Sequence, residues 1–74
     1  MYRFTLKCPD IRPDELAREL DGRTRRFKVW VFDRTPFASL DLKDMTELDG
    51  LRKKLMDVGC IVDCVKVDKA DGFD

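Results

Sequence analysis

Between Tyr2 and Cys8 apolar and polar side chains alternate without a break: Tyr2, Phe4, Leu6 and Cys8 on one side, Arg3, Thr5 and Lys7 on the other. A period of two marks a strand with one buried and one wet face. This constrains the fold strongly, because a sheet of such strands needs its apolar face covered, and the rest of the chain must supply that cover. Pro9 ends the strand. Pro13 stands where the first turn of a helix tolerates proline, and Leu16 and Leu20 are four apart, so a short helix runs to about Asp21 and stops at Gly22.

A second strand spans Arg26–Asp33, with Phe27, Val29 and Val31 facing one way and Arg26, Lys28, Trp30 and Phe32 the other. Asp33-Arg34-Thr35-Pro36 reads as a turn. A third, weaker strand covers Phe37–Leu42, with Ala38, Leu40 and Leu42 toward the core. Asp44 and Glu47 form an Asp-x-x-Glu variant of the capping box, and behind them Met45, Leu48, Leu51, Leu55 and Val58 keep helical spacing until Gly59. Cys60–Val67, apolar on nearly both sides, is the last strand, and residues 69–74 read as a frayed acidic tail behind a single domain of residues 1–68. The expected order is βαββαβ: a ferredoxin-like α+β fold, with a four-stranded antiparallel sheet and two helices on one face. Were residues 37–42 a loop, a three-stranded βαβαβ variant would result.

Composition narrows the function classes. The 74 residues are 43% hydrophobic and 41% charged, with fifteen Lys/Arg against fifteen Asp/Glu and a net charge of zero. That balance is unlike a disordered chain and gives no global pull toward nucleic acid or membrane. The charges are unevenly spread, however. Met1–Thr35 holds nine basic and six acidic residues (+3), and Pro36–Asp74 six and nine (−3), which either orients the chain on a partner or is a solvated surface of no consequence. No apolar run approaches the roughly 18 residues of a membrane span, and MYRFTLKC lacks a signal-peptide core, so the expectation is cytoplasmic with no membrane partner.

Chemistry is hard to place. The chain has no His, Asn or Gln, and Ser39 is its single serine without a G-x-S-x-G frame. No phosphate-binding glycine loop is present. Asp63 alone interrupts an apolar strand, as a functional carboxylate or simply as an exposed sheet position. Cys60 and Cys64, four residues apart on a strand, would sit about 13 Å apart, too far for a disulfide or a shared metal. The three cysteines therefore read as buried thiols, and the chain as a non-enzyme without metal or cofactor.

What is left is surface. On the face away from the helices the facing puts Arg3, Thr5 and Lys7 from the first strand and Arg26, Lys28, Trp30 and Phe32 from the second. Phe37 and Ser39 join from the third, and Ile61, Asp63, Val65 and Val67 from the fourth. So many apolar groups on a wet face mark an interface. The reading is a protein-interaction module, an adaptor, assembly piece or inhibitor of a larger machine. It docks through Trp30, Phe32, Phe37, Lys28, Arg26 and Arg3, or through the free edge of the second strand. A homodimer through the same face or edge would use the same residues. An alternative is single-stranded nucleic acid gripped by Arg23, Arg25, Arg26 and Lys28 and stacked on Trp30, although the outward first-strand positions are not the aromatics of an RNA-recognition motif.

Two family resemblances bear on this. Asp10-Ile11-Arg12-Pro13-Asp14-Glu15-Leu16 resembles the strand-to-helix turn of ACT regulatory domains, which implies small-molecule sensing of an amino acid there, with Asp14 where those domains carry glycine. Phe4, Cys8-Pro9, Arg18-Glu19-Leu20, Gly59 and Ile61-Val62 fall in an order similar to the small core linker of phycobilisomes, which implies a protein-binding assembly piece. The basic character of those linkers is missing, the matching positions are mostly fold-forming, and neither resemblance assigns a family.

Overall fold

In the computed structural model, residues 1–24 and 26–69 are described. The elements run β1 (Tyr2–Lys7), α1 (Pro13–Asp21), β2 (Phe27–Phe32), β3 (Thr35–Leu42), α2 (Met45–Asp57) and β4 (Asp63–Lys69), which is βαββαβ. The strands form one antiparallel sheet in the order β2-β3-β1-β4, the ferredoxin-like arrangement. Residues 37–42 are part of a central strand, so the three-stranded variant does not apply.

The core lies between the sheet and the two helices. Phe4, Leu6 and Cys8 from the β1 side, Ala38 and Leu40 from β3, Leu16 and Leu20 from α1, and Leu48 and Leu55 from α2 are all closed to solvent. Phe27 and Val29 are partly buried against this cluster, whereas Val31, the third apolar residue expected on that face, is half exposed at the outer edge. Both ends of the α2 stripe overreach: Met45 and Val58 keep helical spacing with Leu48, Leu51 and Leu55 but face solvent.

The helix ends follow local chemistry. Arg12 caps α1 through its backbone alone, its C=O accepting from the Leu16 N–H at 2.9 Å, with Pro13 next in the chain. At α2 the Asp44 carboxylate accepts from the Glu47 N–H at 3.1 Å. The return bond differs from the expected box, since Glu47 accepts at 2.6 Å from the N–H of Lys43, one residue before the cap. At the other end Gly59 takes φ +82°, the Gly59 N–H donates to Met56 and the Cys60 N–H to Leu55, a Schellman closure with Cys60 packed inward.

β1 and β2 end within one residue of the sequence-based expectation, at Lys7 and at Phe27 and Phe32, whereas β3 and β4 depart further. The β2–β3 turn is the two residues Asp33 and Arg34, at φ 52° and 62°, the left-handed pair that matches strand twist. Thr35 and Pro36 therefore belong to β3, and Pro36 is tolerated because it lies at the strand's start, where its C=O still accepts from the Cys8 N–H at 2.9 Å. At the other end β4 begins at Asp63, not Cys60, because the Cys60 N–H is engaged in closing α2. Lys69 is paired with Tyr2 and so lies in β4 rather than in a tail; the other tail positions, 70–74, fall outside the described residues.

Facing in β4 also differs from simple alternation. Leu6 pairs with Cys64 and Lys7 with Asp63, but Thr5 pairs with Lys66 and Phe4 with Val67, so Val65 is an extra residue, a β-bulge. Beyond it every side chain changes face relative to the regular pattern. Val67 turns to the helix side, and Lys66 and Asp68 take the open face.

Candidate functional site

The open face is built in rows by strand register. Trp30, Phe37, Lys7 and Asp63 form one row; Lys28, Ser39, Thr5 and Lys66 the next; and Asp41, Arg3 and Asp68 a third, with Arg26 joined to Asp41 by a backbone hydrogen bond. Phe32 and Thr35 close the face beside the turn. The predicted interface residues Trp30, Phe32, Phe37 and Lys28 thus sit together at the β2–β3 corner, with Arg26 and Arg3 at the opposite end of the strands.

Aromatic packing orders that corner. Trp30 and Phe37 are cross-strand partners, stacked at 5.8 Å between centroids and 12° between planes, and Phe32 meets Phe37 edge-on at 6.4 Å. Trp30 and Phe37 are half-buried by this stack, while Phe32 stays 69% exposed. The trio therefore forms one contiguous apolar surface.

At the other end the Arg3 guanidinium donates from Nε to Asp41 at 3.0 Å, and only 6% of the Asp41 side chain is exposed. Arg3, Arg26, Lys28, Ser39 and Asp41, with Phe27, line a shallow depression of about 270 Å³. Lys66 and Asp68 form their own ion pair at 3.4 Å, consistent with a shared face. Lys66, Asp68 and Asp41 were all missed by sequence reasoning. Asp41 shares the parity of Phe37 and Ser39 and was findable; Lys66 and Asp68 depend on a bulge that sequence does not announce.

The basic run is not brought together. Arg23 turns to the helix side, where it pairs with Glu19 at 3.7 Å and flanks a cleft floored by Leu40, Leu42 and Leu51. Arg26 and Lys28 lie on the sheet side, and Arg25 is outside the described residues. Beside the strand-to-helix turn, Ile11, Glu15, Arg18, Glu19 and Val58 line a depression of about 180 Å³, the position to which the ACT resemblance points.

The thiols are unpaired; Cys8 and Cys60 are buried as expected, but Cys64, in edge strand β4, is only partly buried. Burial pushes the Cys8 thiol up to about 12, helped by the neighbouring Cys60 and Asp63, and burial followed by Asp10 raises Cys60. Such thiols stay protonated and unreactive at neutral pH. Cys60 lies outside β4, so strand spacing does not set its distance from Cys64. Among the described residues no three His, Cys, Asp or Glu side chains converge as a metal site requires, and no helix is long and apolar enough to cross a membrane. Comparison with protein-family models, with curated proteins and with solved structures returns no match.

Proposed function

We propose that this chain is a non-enzymatic protein-interaction module acting in the cytoplasm, and that it docks through the β2–β3 corner of the open sheet face. The observation that carries the reading is the aromatic trio. Trp30 stacks on Phe37, Phe32 projects beside them, and among the described residues neither helix lies on that side of the sheet. Aromatic rings that already pack on one another have fewer rotamers to lose on docking, which lowers the entropic cost of binding. Lys28 and Lys7 border it, as polar rims border interface cores.

Phe32→Ala is the clean test, because a ring 69% exposed holds little of the fold together. Affinity capture from native lysate should lose its recovered protein in Phe32→Ala while the melting temperature moves by no more than a degree or two. Unchanged recovery with Phe32→Ala, or recovery abolished by nuclease, would sink the reading. The nuclease arm covers a second reading that Lys66 favours, since Lys28 and Lys66 flank the hydroxyls of Ser39 and Thr5 in one row and would suit a phosphate chain laid across the sheet.

A further inference from the structure

The two edges of the sheet differ in chemistry. Along β4 stand Asp63, Lys66, Asp68 and Lys69, and the Val65 bulge interrupts its ladder. Charges and bulges are the devices by which natural sheets discourage an added strand. β2 reads Phe27-Lys28-Val29-Trp30-Val31-Phe32, with one charge, no proline and an unbroken register against β3. Lys28 is the one such protection on that edge.

Its outward hydrogen-bonding groups can be assigned. The Asp41 N–H donates to the Arg26 C=O at 3.3 Å, so Arg26 and Asp41 are a bonded pair. Alternation then makes Lys28–Ser39 and Trp30–Phe37 bonded pairs too, and aims the N–H and C=O of Phe27, Val29 and Val31 at the free edge.

We propose that a second copy of this chain occupies the edge, β2 pairing antiparallel with β2 about a two-fold axis through Val29. This rests on the reading of the β2 side as the docking side, and it names the partner. Symmetry allows only registers in which facing residues lie on the same side of the sheet. Centred on Val29, the register bonds Phe27 to the second copy's Val31, Val29 to Val29 and Val31 to Phe27, and so uses every outward group of the strand. Centred on Lys28 it would oppose two lysines. Centred on Trp30 it would offer Phe27 only Asp33, which is already in the turn.

The Val29 register is also complementary on both faces. On the open face Lys28 meets the second copy's Trp30 in a close, non-bonded pair, ammonium against indole, and Arg26 meets Phe32. On the helix face Val31, now 52% exposed, is covered by Phe27. No like charges face each other, and the two aromatic corners join across one eight-stranded sheet.

Sedimentation equilibrium on the full chain, from low micromolar to near-millimolar protein, tests this directly. The apparent mass should rise with concentration from one copy to two. Val31→Pro removes an outward N–H without touching the β3 ladder, and should weaken association at least tenfold. Lys28→Glu, a change at an exposed side chain, should weaken it severalfold and serves if the proline variant misfolds. Val65→Lys on the other edge should leave it unchanged. A chain that stays one copy throughout overturns the self-pairing but leaves the docking reading to its own test with Phe32→Ala. A dimer indifferent to both Val31→Pro and Lys28→Glu overturns the proposed edge.

Discussion

Asp41 shows how one side chain ties the sheet to its surface charge. It lies on the open face, yet only 6% of it is exposed, and the Arg3 guanidinium at 3.0 Å satisfies it. Arg3→Met would leave a carboxylate buried without that donor, at a cost of about 1–2 kcal/mol in chemical denaturation. Adding Asp41→Asn should recover part of the loss; equal loss in single and double variants would show that Arg3 acts through packing alone. Cys8 titrates in the opposite sense from a paired carboxylate. Its thiol pKa is raised from 9.0 to about 12 in the folded state. Its contribution to stability is therefore complete below pH 9, where both states hold the proton, and is lost as pH climbs from 9 toward 12, where the unfolded chain ionises first. Cys8→Ala should flatten the alkaline fall in stability measured between pH 9 and 11, and an unchanged slope would assign that fall to other groups. The positions of Phe4, Leu6 and Cys8 were legible because strict alternation leaves each residue one face to occupy. Lys66 and Asp68 were not, since their facing is set by where β4 meets β1 and not by their own neighbours.

The helices were more legible than the strands, for a local reason: their ends are fixed by residues within one turn. Asp44, Glu47 and Gly59 each act on backbone groups a few positions away. Strand limits depend on partners distant in sequence, and two rules competed at Cys60, where helix closure took the N–H that a strand would have used. Two glycines, one inside α2 and one just past its end, give opposite predictions on this footing. Gly59 sits at φ +82° with nothing within 4 Å of the place a methyl would take, so Gly59→Ala meets only backbone strain and should cost about 1 kcal/mol. Gly50 lies inside α2 at an ordinary helical conformation with the same open space, so Gly50→Ala should add about 0.5–1 kcal/mol. Thermal melts of the two variants should move in opposite directions. A destabilised Gly50→Ala would mean that the cleft beside Leu51 does not tolerate a methyl.

The sequence divides into a basic first half and an acidic second half, but the fold does not keep them apart. Antiparallel pairing of β4 with β1 sets Asp63 beside Lys7 and Asp68 beside Arg3, so acidic residues of the second half are interleaved with the cations of the first. Arg23, which the sequence groups with Arg26 and Lys28, is carried to the helix side and paired with Glu19. Both effects separate the cations that a phosphate backbone would need in line, and this favours the protein-docking reading over the nucleic-acid one. The consequence is measurable. Single-stranded DNA should bind the native chain weakly, with a slope of log K against log salt well short of the value near −3 that four neutralised phosphates would give at about −0.7 each. Asp63→Lys with Asp68→Lys would remove the two acidic residues that β4 brings to the open face, leaving Asp41 paired with Arg3. If the face is otherwise shaped for a nucleic-acid strand, that double variant should gain at least tenfold in affinity and steepen the slope by more than one phosphate contact. If the corner is built for protein, the gain should be nonspecific, equal for duplex and single strand, and insensitive to Trp30→Ala. Sub-micromolar binding of a random oligonucleotide by the unmodified chain at physiological salt, lost on Trp30→Ala, would reverse the order of the two readings.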